Sequence, residues 1–211
     1  MKPRALLLCI LMILAMAAIT GYYYSALPEK MPMHWNFAGQ VDGYGPRWQL
    51  WLLGPGTMTG MLALGVVLPF LSPKQYALEA SGDTYSYLMM LPVALFGAIE
   101  LLVLCNALGM QFGVVHLLQG ILFVVLVLMG NPMGKVRSNF FVGIRTPWTL
   151  ASERVWYVTH RLAGKLMVGS GLLGLCAMAL GAPQWLLLVL MLAWTPAVIG
   201  YSFVMYKRLP Q

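Results

Sequence analysis

Two ionisable side chains, Glu100 and His116, interrupt stretches of sequence that are otherwise apolar. An acid inside a membrane-spanning segment is costly, so it marks either a proton path or a structural polar pair. At 1.5 Å per residue, Glu100 lies about 9 Å before Asn106, and His116 lies about 8 Å beyond Gln111. The short connection between these segments predicts a helical hairpin, in which we expect the two side chains to face each other.

Two interpretations of this pair stay open. A proton relay would make the protein a small proton-coupled transporter or exporter, whereas a structural pair would only tie two helices together. A relay normally extends through several spans, and the other apolar segments carry almost no polar groups. The sequence therefore favours the structural pair.

A second polar cluster follows the first apolar segment and consists of His34, Trp35, Asn36, Gly39 and Asp42. One histidine and one carboxylate are too few for a zinc site, which takes three or four protein ligands. Asparagine and aspartate commonly cap turns, so we expect Asn36 and Asp42 to do this rather than to contact a ligand. We predict a compact loop, and its surface is the best candidate for meeting an external ligand.

A third cluster combines cations, aromatic residues, glycines and prolines after the fourth apolar segment. Thr146 before Pro147 predicts a helix with a threonine N-cap and a proline at its first position. Glu153 is the only acid in this stretch, and we expect it to pair with Arg145 or Arg154. The arginines have two interpretations: anchors for lipid headgroups, or a docking surface for a cytoplasmic partner or an anionic ligand. The cluster consists of Lys135, Arg137, Asn139, Arg145, Thr146, Pro147, Trp148, Glu153, Trp156, His160 and Arg161.

The composition explains why these clusters stand among apolar stretches. Of the 211 residues, 60% are hydrophobic and 9% are charged, whereas soluble domains have about 25% charged residues. A soluble fold is therefore excluded, and so is intrinsic disorder, which needs low hydrophobicity. Nucleic-acid binding is not indicated, because no soluble module carries a basic face. The sequence has no Ser-x-x-Lys dyad, aspartate pair or His-Glu-x-x-His motif, so we expect neither an enzyme nor a cofactor.

Six apolar segments are each long enough to cross a membrane, which takes about 20 residues. Backbone groups in lipid must be satisfied within the segment, so the predicted fold is an all-α membrane protein with six transmembrane helices. The first segment continues to Tyr24, which favours an uncleaved helix over a signal peptide. The segments are roughly Ala5–Tyr24, Leu50–Leu71, Tyr87–Asn106, Phe112–Gly130, Leu162–Gly181 and Gln184–Tyr206.

Positive charges predict the orientation, because lysine and arginine concentrate on the cytoplasmic side of a membrane protein. With six spans and an inside N-terminus, only Lys30 and Arg47 of the 13 basic residues lie outside. Both termini are therefore predicted to be cytoplasmic, and this asymmetry accounts for the net charge of +7. The predicted inside residues are Lys2, Arg4, Lys74, Lys135, Arg137, Arg145, Arg154, Arg161, Lys165, Lys207 and Arg208.

We expect one continuous membrane bundle with three parts along the chain. The first is a helix pair with its outer loop (1–71), the second is a central helical hairpin (72–130), and the third holds the cationic loop and the last two helices (131–211). The three cysteines lie singly in apolar runs, without the spacing of a disulfide framework or a zinc site. The sequence does not indicate an oligomeric state.

Small residues four positions apart permit close approach of membrane helices. Gly56 and Gly60 have this spacing in the second span, and Ser170 and Gly174 have it in the fifth. We expect both pairs to pack within one chain rather than between two copies.

The second and third clusters together resemble a bacterial family. His34-Trp35-Asn36, followed by Gly39 and Asp42, is similar to the motif of a domain of unknown function that accompanies the SdpI family. The third cluster resembles the SdpI signature itself, and the two family resemblances together cover nearly the whole chain. The signature positions are Gly130, Asn131, Gly134, Lys135, Arg137, Asn139, Gly143 to Leu150, Ser152, Glu153, Trp156, Thr159 to Arg161 and Gly164.

The resemblance implies a multi-pass protein of the bacterial inner membrane that confers immunity to a secreted toxic peptide. The founding member of the family is also a receptor, which holds a small transcriptional repressor at the membrane when toxin is bound. By position, the resemblance implies that the loop from His34 to Asp42 faces the toxin and that residues 135–161 face the repressor. The chain differs from the family pattern at Pro132 and Ser138. These differences weaken the expectation of repressor docking more than the expectation of the fold.

Overall fold

A computed structural model describes residues 1–74 and 82–209, and within them six helical segments are long and apolar enough to cross a membrane. This confirms the predicted membrane architecture of six helical spans. The fifth span begins at Glu153 rather than at Leu162, because its helix starts inside the cationic stretch. The six spans are Pro3–Ala26, Gln49–Leu71, Gly82–Ala107, Val114–Met133, Glu153–Ala179 and Gln184–Arg208.

The chain forms two compact units. One consists of residues 2–65 and 89–122, and the other consists of Met1 and residues 66–88 and 123–211. A 3₁₀ turn (Tyr24–Ala26) follows the first helix, and a π turn (Leu52–Gly56) lies within the second span. The elements are α1 (Pro3–Tyr23), β1 (Lys30–Trp35), β2 (Val41–Pro46), α2 (Gln49–Trp51), α3 (Thr57–Leu71), α4 (Gly82–Ala107), α5 (Val114–Met133), α6 (Pro147–Ala151), α7 (Glu153–Ala179), α8 (Gln184–Leu192) and α9 (Trp194–Arg208).

The second span is irregular because Pro55 lies inside it. Proline has no N–H and disrupts the helical hydrogen-bond ladder around it. Two threonine hydroxyls bond to carbonyls of this turn: Thr57 Oγ1 donates to Leu52 at 2.7 Å, and Thr59 Oγ1 donates to Pro55 at 2.6 Å. Such side-chain hydrogen bonds make a broken helix tolerable in lipid.

The loop after α1 folds into a hairpin, which adds two strands to the helical architecture. β1 and β2 pair antiparallel, with Lys30 opposite Pro46 and Trp35 opposite Val41. Gly39 lies in the turn between them with a φ of +78°, a conformation that glycine adopts without strain. The compact loop predicted from the sequence is this hairpin.

One side of the hairpin packs on an apolar cluster. Met31 of β1 and Leu50 of α2 are fully buried there with Leu104 of α4. Burying such a side chain away from water contributes roughly 1.5–3 kcal/mol, so this cluster holds the hairpin on the helices. Its buried members are Leu27, Met31, Leu50, Val103 and Leu104.

In the other unit, α5 and α7 cross at glycines that bring the two backbones close together. A Cβ atom built on Gly130 would lie 2.9 Å from the Gly164 carbonyl oxygen, and one on Gly171 would lie 2.8 Å from that of Phe123. Gly174 leaves room for the fully buried Phe123 ring. Helix association in lipid relies on such close packing, because lipid tails are as apolar as the side chains.

The same unit contains α8 and α9, which pack against α7. Ser170 Oγ of α7 donates a hydrogen bond to the Leu190 carbonyl of α8. Ser170 and Gly174 therefore pack within the chain, as predicted. The prediction is wrong for the other pair, because a Cβ atom on Gly60 would have no described atom within 4 Å.

Candidate functional site

Glu100 contacts α1 rather than the first turn of α5. It is 1% exposed, and its Oε1 accepts a hydrogen bond of 2.5 Å from Thr20 Oγ1. Within the described part of the chain, its Oε2 has no hydrogen-bond partner. His116 is exposed and does not bond to Glu100, so the predicted Glu100–His116 pair is wrong. The two side chains have similar depths along their helices, but depth does not determine the direction in which a side chain points.

The space for the Glu100 carboxyl is provided by Gly54 in the π turn. A Cβ atom on Gly54 would overlap the carboxyl group, so a larger residue does not fit there unless Glu100 moves. π turns often occur at functional sites. Neither Thr20 nor Gly54 was predicted from the sequence. The available signals were that Thr20 is a lone threonine in an apolar span and that a proline follows Gly54.

This buried site has the composition of a proton site rather than a metal site. It offers one carboxylate and one hydroxyl, and no group of three or more His, Cys, Asp or Glu residues in the described ranges could hold a metal ion. A carboxyl group can gain or lose a proton without other ligands. The arrangement therefore permits proton binding at Glu100.

At the hairpin, His34 and Asp42 form an exposed pair across the two strands. His34 Nδ1 lies 2.5 Å from Asp42 Oδ1. The expectation that Asp42 caps a turn is therefore wrong, because its carboxylate bonds to the histidine. The expectation is confirmed for Asn36, whose Oδ1 accepts from the N–H groups of Ala38 and Gln40, each at 3.0 Å.

The base of the hairpin is tied to the end of the first span. Arg47 Nη1 donates to the carbonyl of Leu27 at 3.2 Å and to that of Tyr24 at 3.3 Å. The guanidinium also lies 4.9 Å from the centroid of the Tyr24 ring, a cation–π contact. Arg47 thus fixes how the chain leaves α1 and enters the second span.

The hairpin exposes aromatic side chains beside the His34–Asp42 pair. Phe37 is 76% exposed and Tyr44 is 67% exposed, while Trp35 packs against the apolar cluster. Exposed aromatic residues are typical of membrane interfaces and of peptide-binding surfaces. Phe37 and Tyr44 lie outside the five residues that the sequence indicated as the outer-loop site. We call Phe37, Tyr44, His34 and Asp42 the hairpin surface.

In the cationic loop, Asn139 is the internal support. It is 1% exposed, and its side chain makes four hydrogen bonds to the loop backbone. Its Nδ2 donates to the carbonyls of Arg137 and Val142, and its Oδ1 accepts from the N–H groups of Phe141 and Val142, at 2.6–2.9 Å. A buried amide that satisfies both donors and acceptors in this way fixes one loop conformation.

His160 and Trp156 of α7 hold the same loop from the helix side. His160 Nε2 accepts from the Ile144 N–H at 2.9 Å, and Trp156 Nε1 donates to the Val136 carbonyl at 2.7 Å. The two rings stack with centroids 4.0 Å apart. Both residues are buried, so their roles in this structure are to position the loop rather than to contact a partner.

The end of the loop is the predicted threonine-capped helix α6. Thr146 accepts from the Thr149 N–H at 3.2 Å and bonds through its hydroxyl to Ser202 of α9 at 3.1 Å. Pro147 occupies the first turn, and Trp148 packs beside Phe203 with ring centroids 5.0 Å apart. This confirms the predicted cap and joins the loop to α9.

Glu153 forms no ion pair with Arg145 or Arg154 in the described ranges, so that expectation is wrong. It lies in the first turn of α7, where an acid is stabilised by the helix dipole. The Arg145 guanidinium instead donates to the Phe140 carbonyl at 2.7 Å.

The supported loop presents its cations outward. Four basic residues of the cluster are exposed, whereas the side chains that hold the loop are mainly buried. The arrangement is suited to binding an acidic group or an acidic protein face through charge-assisted hydrogen bonds. We call the four exposed residues the cationic surface: Lys135, Arg137, Arg145 and Arg161.

Known proteins match both motifs. Residues 135–202 match the model of the SdpI/YfhL protein family, and residues 11–59 match a domain of unknown function, DUF1648. The chain is similar to the Immunity protein SdpI of Bacillus subtilis (strain 168), with 23% identity over 214 residues. This similarity covers 99% of the chain and 98% of the relative. No solved structure matches the chain.

Proposed function

We propose that this six-span membrane protein, which matches the SdpI/YfhL family model over residues 135–202 and DUF1648 over residues 11–59, confers immunity to a secreted toxic peptide. The observation that carries the proposal is the similarity to an immunity protein over nearly the full length of both chains. The proposed location is the inner membrane of a bacterium, and the proposed role is binding rather than catalysis.

The hairpin surface is the proposed contact for the peptide. Its exposed aromatic rings offer apolar contact area at a membrane boundary, and Asp42 offers a carboxylate to a cationic peptide. Arg47 and the apolar cluster support the hairpin, so binding would cost little ordering of the loop. These features suit an amphipathic peptide that carries positive charge.

The cationic surface is the proposed contact for a partner protein inside the cell, and a small transcriptional repressor is the candidate. Asn139, Trp156 and His160 hold the loop in one conformation, so its cations are presented in a fixed arrangement. For peptide binding to change partner binding, the protein must have two states that differ in peptide affinity.

The test is survival of a toxin-sensitive bacterium that expresses this chain. Cells with the wild-type chain should survive a cationic amphipathic toxic peptide at concentrations that kill cells with an empty vector. The double variant Phe37→Ser, Tyr44→Ser should lose protection while its membrane level stays unchanged. Arg145→Gln should keep protection and lose capture of a cytoplasmic partner from native membranes.

Equal killing with and without the chain, across peptides from strains that encode it, would overturn the immunity proposal. Leu180→Ser provides the matched control, because Leu180 is 86% exposed and lies outside the hairpin surface. If this control lost protection as the hairpin variant does, the hairpin would not be the peptide contact.

A proton-coupled transporter is the second candidate, and the buried Glu100 oxygen without a described partner favours it. Without the His116 contact, Glu100 would act alone as the proton carrier. Proteoliposomes that contain the wild-type chain should then move protons in response to a pH gradient, and Glu100→Gln should abolish the flux. Equal flux in both preparations would rule out this function.

A further inference from the structure

An open groove lies where α5 meets α7, at the end of the cationic loop. Its volume is about 510 Å³. The lining combines four glycines with the amide of Asn131 and two cations, Arg161 and Lys165, and none of the described lining residues is acidic. We propose that this groove binds the phosphate group of an anionic phospholipid.

Lys165 lies deep along the membrane-spanning part of α7. It is an exposed cation on a membrane-spanning helix, and counting back from Ala179 places it roughly 21 Å along a hydrocarbon core of about 30 Å. A charged side chain at such a depth needs a counter-charge or must extend towards the headgroups. A lipid phosphate provides that counter-charge where the protein lining provides none.

Glycines determine the shape of the groove. Gly130 and Gly164 bring the two helix backbones together, with a would-be Cβ atom of each within 2.9 Å of the other's carbonyl oxygen, so backbone rather than side chain lines the groove at these positions. Gly134 lies against the aliphatic stem of Arg161, where a Cβ atom would come within 3.3 Å of Cγ. Gly169 has no described atom within 4 Å of its would-be Cβ. The groove is therefore open to a headgroup from the lipid side.

Tyr157 orients the Arg161 side chain. Its Nη1 donates to the Tyr157 hydroxyl at 2.8 Å, and the guanidinium lies 5.4 Å from the centroid of the Tyr157 ring. This contact uses one of the five N–H donors of arginine. The others can form the paired hydrogen bonds that arginine makes with phosphate oxygens.

The test measures lipid binding to the purified full chain in a neutral detergent. Native mass spectrometry should find one phosphatidylglycerol bound per chain, in preference to phosphatidylcholine. Lys165→Gln should weaken this binding roughly fivefold, as expected for the loss of one cation near a membrane surface. Gly169→Leu keeps both cations and fills the groove, so it should abolish binding.

Arg154→Gln is the matched control, because Arg154 is an exposed cation on the same helix that lies outside the groove. If it weakened binding as much as Lys165→Gln, the attraction would be one of overall charge and the site would be refuted. Unchanged binding in Gly169→Leu, or equal competition by soluble glycerol phosphate, would also refute a lipid site. These measurements use neither toxin nor repressor, so their outcome is independent of the proposed immunity function.

Discussion

Thr20 donates a 2.5 Å hydrogen bond to Glu100 although the two residues lie 80 positions apart in the chain. This bond joins the first and third spans through a carboxyl group that the π turn of the second span covers. The packing of the three spans therefore depends on one buried polar contact.

Gly54→Ala should destabilise the protein, because the added Cβ atom would overlap the Glu100 carboxyl group. Overpacking of a closely packed interior costs roughly 1–3 kcal/mol. Thermal unfolding in detergent measures the effect. Gly60→Ala in the same span is the control and should unfold like the wild type, since its added methyl group meets no described atom. Equal behaviour of the two variants would contradict the packing described for Gly54.

Thr20→Val should also lower the stability, because it keeps the size of the side chain and removes the donor to Glu100. Leaving a buried acceptor without its partner costs roughly 1–3 kcal/mol. In the background of Glu100→Leu, the same threonine substitution should cost much less, and a double-mutant cycle measures the difference. Additive effects would mean that the hydrogen bond contributes nothing to stability.

Asn139→Ala should loosen the cationic loop, because four hydrogen bonds to its backbone are lost together. Limited proteolysis in detergent should cut between residues 136 and 145 faster than in the wild type. Ser138→Ala changes the neighbouring residue and should leave the cleavage rate unchanged. A loop that resists protease in both variants would argue against Asn139 as its support.

His160→Phe should have a similar effect on the loop, because it removes the acceptor for the Ile144 N–H while keeping a ring to stack on Trp156. The expected loss is roughly 1 kcal/mol, at the lower end of the cost of an unsatisfied donor, because this N–H group is only partly buried. Thermal unfolding and hydrogen exchange at Ile144 measure it. Full protection of that amide in the variant would contradict the hydrogen bond.

The orientation predicted from the charges can be tested by accessibility labelling. In a variant without native cysteines, Phe37→Cys should react with an impermeant thiol reagent added outside the cell, and Arg145→Cys should react only after the membrane is opened. Labelling of both from the same side would refute the predicted orientation and the proposed roles of the two surfaces.

The six spans were predictable because a membrane-crossing helix needs a long apolar run, and such runs are visible in any one sequence. The cap at Thr146 was predictable for a local reason, since a threonine before a proline determines the geometry of the next turn. Both features depend on residues that are neighbours in the chain.

The partners of Glu100, Asp42 and Glu153 were not predictable in this way. Each was assigned from depth, from local turn preferences or from nearby charge, and each choice of partner depends on how helices and strands rotate about their axes. Thr20 and Gly54 became visible only when three spans were in place. In the cationic loop, the sequence placed Asn139, Trp156 and His160 in one cluster with the cations. It did not distinguish these buried supports from the exposed cations.

The π turn in the second span also restricts the length of the chain there. Each residue of an α-helix turns the chain by about 100°, so removing one residue between Leu52 and Gly56 would rotate all of α3. Met58 is fully buried and lies beside Gly97 of α4, and it would then lose this contact. Relatives that keep this contact should therefore keep the same number of residues between the hairpin and Met58, even where the residues themselves differ.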